Sequence, residues 1–170
     1  MKAYLLDTNI WSYWYRGETY IDRNISKLLE MQNFLNMSFV SLGEFAHGWH
    51  LDRSFDRESF EKFLKGIDFE VYRKLDNHTL EIYGRVRAEL ARKYVYKNKR
   101  VKWLEEMWDP VSSKKLGVQE NDVWITAQAI NYGATLVTAD KKMKRIFDII
   151  PEEYLGNEKD GFYYDVWDKT

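Results

Sequence analysis

Residues 1–11 read MKAYLLDTNIW: an apolar run, Tyr4-Leu5-Leu6, halts at an acid, Asp7, and resumes at Ile10 in a segment with helical spacing. A short apolar strand that flows directly into a helix is the opening of a βα unit. The same grammar returns at residues 133–140, GATLVTAD, where Leu136-Val137 runs through Thr138 to Asp140. Between them the pattern keeps alternating. Strands are predicted at Lys2–Leu6, Ser38–Val40, Phe69–Tyr72, Thr135–Thr138 and Phe147–Ile150. Helices are predicted at Ile10–Arg16, Ile21–Leu35, Leu42–Leu51, Arg57–Lys65, Asn77–Tyr94, Val123–Asn131 and Lys141–Ile146. In the long helix Leu80, Tyr83, Val86 and Leu90 recur at helical spacing, and Gly133 suits the C-cap of the helix before it. Strands that alternate with helices imply an α/β fold with a mostly parallel sheet.

The rest of the composition narrows the class. A chain of 170 residues that is 45% hydrophobic is long enough for one domain with a real core. It contains no Cys, which excludes a disulfide framework, and no segment approaches the length of a membrane span. The first residues enter a strand-like run without the pattern of a signal peptide, so a soluble cytoplasmic protein is expected. Net charge is only −1, yet residues 85–117 hold ten Lys/Arg against four Asp/Glu. That local basic excess suits a polyanionic partner, with Arg85 and Arg87 as candidate contacts, and equally suits the solvated face of a helix.

Four acids stand where a strand meets a helix or a helix begins: Asp7, Glu44, Asp122 and Asp140. In an open parallel sheet the residues just past the carboxyl ends of strands line one crevice, so acids far apart in sequence can meet there. Each also has a simpler explanation. Ser41-Leu42-Gly43-Glu44 fits a capping box, and Asp7, Asp122 and Asp140 fit helix caps. What favours a shared site is that Asp7 and Asp140 end buried central strands, where a carboxylate is costly unless paired or bound to metal. Oxygen ligands of this kind select Mg²⁺ or Mn²⁺. His47 and His50 lack a zinc-ligand pattern, and Trp11, Trp14 and Tyr15 are expected to pack more than to flank a site.

LDTNI at residues 6–10, SLGEF at 41–45, ENDVWITA at 120–127 and GATLVTAD at 133–140 together resemble the PIN-domain nucleases, and most nearly the VapC-type toxins. The match runs in order along residues 2–150. The resemblance implies a three-layer α/β/α sandwich around a central parallel sheet of four or five strands. It implies a Mg²⁺- or Mn²⁺-dependent endoribonuclease acting on tRNA or other structured RNA, with Asp7, Glu44, Asp122 and Asp140 as catalytic metal-binding acids and Asn9 and Thr138 as supporting polar residues. It further implies a homodimer and a small antitoxin partner. On this reading residues 1–150 form the nuclease domain with a basic and aromatic insertion at about 94–119, and residues 151–170 dock on it as an extension. Two departures stand out: Lys141-Lys142-Met143 replaces the family's acid and aromatic, and the insertion is long. An Asp-x-Asp phosphatase is disfavoured because the second position is Asn9. A PIN-like module that binds RNA or protein without cutting is the remaining alternative.

Overall fold

Leu5 and Leu6 have no polar side-chain atom to offer water, and with Tyr4 they sit in β1 (Ala3–Leu6), the middle strand of a five-stranded sheet. The computed structural model describes residues 1–96, 103–155 and 163–167. Its helices and strands run β1, α1 (Thr8–Tyr15), α2 (Thr19–Glu30), β2 (Phe34–Ser38), α3 (Phe39–Leu51), α4 (Arg57–Lys65), β3 (Glu70–Tyr72), α5 (Asn77–Lys93), β4 (Val95–Tyr96), β5 (Met107–Trp108), α6 (Glu120–Asn131), β6 (Thr135–Thr138), α7 (Lys144–Phe147), α8 (Glu152–Leu155) and β7 (Tyr164–Val166). The main sheet has the order β3-β2-β1-β6-β7, and every pair in it is parallel. The fold is therefore α/β with five parallel strands, as expected. Leu5, Leu6, Leu136 and Val137 are fully buried, which is the signature of central parallel strands covered on both faces.

The chain packs as two units. Among the described residues, 1–74, 134–139 and 164–167 make the first, which contains the whole parallel sheet; 75–96, 103–133, 140–155 and 163 make the second. The first unit's core gathers Leu6, Ile10, Trp11, Ile21, Ile25, Leu35, Met37, Val137 and Trp167. Trp11 is buried, and its indole N–H donates to the Leu6 carbonyl at 3.1 Å, so the start of α1 is tied to the end of β1. Trp14 packs edge-on to Phe63 and Tyr15 edge-on to Phe60, which places both rings in packing, as expected. In the second unit α5 packs on α6. A small antiparallel hairpin, β4 with β5, also belongs to it.

Several boundaries differ from the sequence expectation, each for a physical reason. The helix expected to reach Leu35 ends at Glu30, and the strand expected at 38–40 occupies Phe34–Ser38. Leu28 and Leu35 continue the helical spacing of Ile21 and Ile25, but Gln32 takes a left-handed φ of 55° and stops the helix. Asn33 closes that end by donating to the Leu28 carbonyl at 3.1 Å. On α5 the buried face is Thr79, Ile82, Val86 and Leu90, and Leu80 is exposed.

The strand expected at Phe147–Ile150 is instead the end of α7 and a turn, in which Ile149 donates to the Ile146 carbonyl. A short apolar run satisfies burial equally as strand or helix. The fifth strand is β7, from the last stretch of the chain. Lys97, Lys99, Arg100 and Lys102 of the basic stretch, the turn expected at Gly156-Asn157, and Phe162 lie outside the described residues.

The α5 N-terminus is tied to α6 by one polar clasp. The Asp76 carboxylate caps α5 by accepting from the Thr79 N–H at 2.8 Å, and Asn131 of α6 donates to it at 3.1 Å. The Thr79 N–H and hydroxyl, opposed by slight burial, hold the Asp76 carboxyl below its ordinary value. Its stabilising contribution is then fully present above the unfolded carboxyl value of about 3.9 and is lost as pH falls through the lower folded value. Asp76→Ala is accordingly expected to lower the urea midpoint at pH 7 and at pH 5 alike. That deficit should shrink as pH falls through the lowered folded value and the wild-type carboxylate takes up its proton.

Candidate active site at the carboxyl ends of β1 and β6

The sheet order reverses at β1: the chain builds outward through β2 and β3 on one side and places β6 and β7 on the other. The gap beyond the carboxyl ends of β1 and β6 is thus the topological switch point, where open parallel sheets hold ligands. Asp7 is the first residue past β1, and Thr138 is the last of β6. The Asp7 N–H extends the ladder by donating to the Val137 carbonyl at 2.8 Å, so the position of the acid is set by the sheet itself.

The Asp7 side chain is buried, at 4% exposure. One carboxylate oxygen accepts from the Thr8 N–H at 2.7 Å, and the other accepts from the Asn9 amide at 2.6 Å and the Thr138 hydroxyl at 2.7 Å. These three donors are neutral. The Asn9 carbonyl oxygen accepts from the Ala139 N–H at 2.9 Å, which fixes the amide so that its nitrogen faces Asp7. The same amide also donates to Thr138 at 3.1 Å, and Thr138 donates onward to Asp7. Chains of this kind polarise one another and hold the carboxylate rigidly.

Glu44 reaches the same end of the first unit by a different route. Ser38, not Ser41, caps α3, accepting from the Val40 N–H at 3.0 Å. Ser41 and Glu44 therefore lie inside the helix, three residues apart on one face, and the capping-box explanation does not apply to them. Both bind the Thr8 hydroxyl: Ser41 is 2.8 Å from it, and the Glu44 carboxylate makes a close hydrogen bond with it. A hydroxyl has one proton, and a carboxylate only accepts, so Thr8 donates to Glu44 and receives from Ser41. Thr8 thus links the residue beside Asp7 to the acid of α3. The sequence shows Thr8 and Ser41 inside LDTNI and SLGEF, but nothing in their spacing marks them as partners.

Asp122 and Asp140 belong to the second unit. Asp122 is the third residue of α6, and its carboxylate accepts from the Gln119 N–H at 2.6 Å. Asp140 accepts from the Lys142 N–H at 2.8 Å and caps the 3₁₀ turn Lys141–Met143. Both make the capping bonds that their positions allow.

Within either unit, among the described residues, no three His, Cys, Asp or Glu side chains form a ready-made metal cage. Arg85 pairs at the surface with Glu81 and Glu153, while Arg87 donates to Glu120 at 2.9 Å and to the Tyr96 hydroxyl at 3.0 Å. His47 and His50 are exposed.

A model of the PIN domain matches residues 4–148. The chain belongs to the PIN-domain family. Among solved structures, this PIN domain is similar to VapBC2 from Rickettsia felis bound to a DNA fragment from its promoter, with a TM-score of 0.64 and 22% identity over 98% of this chain and 99% of that one. It is also similar to VapBC-1 from nontypeable Haemophilus influenzae, with a TM-score of 0.63 and 21% identity over 97% and 98% of the two chains. DNA-bound VapBC from Salmonella typhimurium follows at 0.59 and 22%, over 98% and 99%. At these identities the likeness is one of fold. No curated protein matches the chain.

The Thr8 hydroxyl is the part of the site most open to a structural test in the PIN domain. Thr8→Val removes the donor to Glu44 and leaves buried Ser41 short of a partner, at a cost of about 1–3 kcal/mol. Thr8→Ser retains the hydroxyl and is expected to stay within about 1 kcal/mol of wild type. Urea unfolding of the two variants side by side checks the assignment.

Proposed function

We propose that this PIN domain is a metal-dependent endoribonuclease and the toxin of a toxin–antitoxin pair. The observation that carries the proposal is the buried Asp7 carboxylate, clamped by Thr8, Asn9 and Thr138 at the switch point of the sheet. A carboxylate buried there and braced from three sides is costly to keep unless its charge is used.

The donor set suits a hard divalent cation. The groups that hydrogen-bond Asp7 and Glu44 include the hydroxyls of Thr8 and Thr138 and the amide of Asn9, and the chain has no Cys to attract a softer metal. Mg²⁺ is usually held by one or two carboxylates while it keeps several waters, so the absence of a closed cage within a unit is compatible with it. On this proposal Asp7 and Asp122 hold Mg²⁺ or Mn²⁺ directly, and Asp140 completes the set directly or through water. The capping bonds of Asp122 and Asp140 do not exclude this, because a carboxylate has two oxygens and about four acceptor positions. When bound, the cation would lower the pKa of water, polarise the phosphodiester and neutralise developing charge.

The protein's own residues then have separate roles. Asn9 and Thr138 fix the Asp7 oxygens. Thr8 aims Glu44, which receives the proton of the attacking water or joins a second ion. Water attacks phosphorus as the bond to the 3′-oxygen breaks; that oxygen takes up a proton, leaving a 3′-hydroxyl and a 5′-phosphate. The substrate is tRNA or another structured RNA with unstacked bases, a class that aromatic rings and Arg planes recognise. Arg85, whose ion pairs lie at the surface and exchange cheaply, is the proposed phosphate contact on α5. One structural neighbour is described as a member of the VapBC family of toxin–antitoxin systems, with a TM-score of 0.52 and 20% identity over 86% of this chain and 91% of that one. By that likeness a small antitoxin is proposed here as well; the homodimer that the sequence resemblance implies and the cytoplasmic setting expected from the sequence are proposed with it. No helix among the described residues is long and apolar enough to cross a membrane.

Purified protein incubated with total RNA and with a tRNA pool, with Mg²⁺ or Mn²⁺, tests the activity. Discrete fragments are expected that EDTA abolishes and Asp7→Asn reduces to background. Asn9→Ala and Thr138→Val are expected to lose about 10- to 100-fold, as outer-shell supports of a metal ligand do. Folded wild-type protein that cuts no RNA under any of these conditions would contradict the proposal and favour a non-cutting binding module.

A further inference from the structure

Arg87 carries charge on a helix in a basic stretch, yet its guanidinium is turned into the second unit, where its side chain retains 22% exposure. Its Nε donates to one oxygen of Glu120 at 2.9 Å, and the Tyr83 hydroxyl donates to the other oxygen at 2.8 Å. Arg87 also donates to the Tyr96 hydroxyl at 3.0 Å. Burial, with the bond to Glu120, raises the Tyr83 hydroxyl above its ordinary value, so the phenol stays a donor at neutral pH. Beside this network Tyr83 stacks face to face on Trp124, with ring centroids 3.7 Å apart and planes within 6°. At the far end of the same helix pair, Asn131 grips Asp76 and Thr79. The amino-terminal end of α6 is thus clamped to the middle of α5, and its carboxyl-terminal end to the start of α5.

Two clamps of this kind do something that an apolar seam does not. Ile82, Val86 and Leu90 on α5 and Val123, Ile125, Ala127 and Ala129 on α6 are buried, but contacts between aliphatic groups are non-directional and tolerate sliding. Hydrogen bonds to a partly buried carboxylate do not. A pair such as Arg87 with Glu120 is a poor source of net stability because of its desolvation, and its best-attested use is to set register. Glu120 and Asp122 are two residues apart, a rise of about 3 Å and a rotation of about 200°. While Glu120 is held against α5, Asp122 is presented from the opposite side of α6 at a fixed height.

We propose that Arg87 and Glu120 are positioning residues that lock the register of α6 on α5 and thereby place the Asp122 carboxylate for its cation. The inference rests on the nuclease proposal above, and it removes Arg87 from the set of RNA contacts.

The test compares wild type with the apolar double variant Arg87→Met/Glu120→Leu and with the single variants Arg87→Lys and Tyr83→Phe. Three quantities are read: the urea midpoint, Mn²⁺ affinity from the electron paramagnetic resonance of free Mn²⁺, and kcat and KM for RNA cleavage. Replacing the pair by apolar side chains is expected to leave the urea midpoint near wild type. Mn²⁺ affinity and kcat are expected to fall about tenfold or more while KM stays within about twofold. Arg87→Lys retains charge without the planar fork and should fall between wild type and the double variant.

Unchanged Mn²⁺ affinity and kcat in the double variant would overturn the inference. So would a rise in KM alone, which would make Arg87 an RNA contact after all. If the double variant does not fold, Tyr83→Phe decides, since it removes one hydroxyl from Glu120: a fall in Mn²⁺ affinity at wild-type stability supports the register lock, and no change overturns it. Wild-type protein that neither binds Mn²⁺ nor cleaves RNA would instead sink the nuclease assignment and this inference with it.

Discussion

The carboxylate of Asp7 is the constraint from which the site is built. It stands one residue beyond the central strand, is shielded from water, and is met by a backbone N–H, an amide and a hydroxyl at 2.7, 2.6 and 2.7 Å. Each donor comes from an element that the sheet already places. The backbone of residue 7 is hydrogen-bonded to β6, Thr138 ends β6, and Asn9 is tied back to Ala139. Moving either strand by one residue would turn the corresponding side chain to the opposite face. Pairing of β1 with β6 and assembly of the acid site are therefore one event.

Thr8 extends that constraint to α3. Because α3 starts at Phe39 under a Ser38 cap, Ser41 and Glu44 point together at the Thr8 hydroxyl. Had the helix started three residues later, with Ser41 as its cap, Glu44 would have been spent on backbone N–H groups at the helix end. A shift of boundary of that size changes the chemistry available to the residue.

Much of this was legible in the amino-acid sequence, because burial of a central parallel strand leaves a plain mark. The runs ending at Leu6 and Thr138 have little polar character, so the acids after them, and Thr138 itself, were visible as residues at strand tips. Where the signal was periodicity alone it misled. Leu35 continues the spacing of Ile21 and Ile25 but lies past a left-handed Gln32, and Leu80 keeps helical spacing on α5 yet faces solvent. Tyr164–Val166 was illegible as the fifth strand, since three residues carry too little pattern to mark a strand. Arg87 showed only as charge. That its partner is Glu120, 33 residues away, is a fact of how α5 packs on α6.

The central claim, that Asp7 is buried in order to hold a divalent cation, is tested most directly by anomalous diffraction from crystals grown with Mn²⁺. The account predicts an anomalous peak about 2.1 Å from an Asp7 carboxylate oxygen, with Asn9 and Thr138 still in place behind it. A fully loaded crystal with Mn²⁺ bound elsewhere, and Asp7 contacted only by Thr8, Asn9 and Thr138, would contradict it.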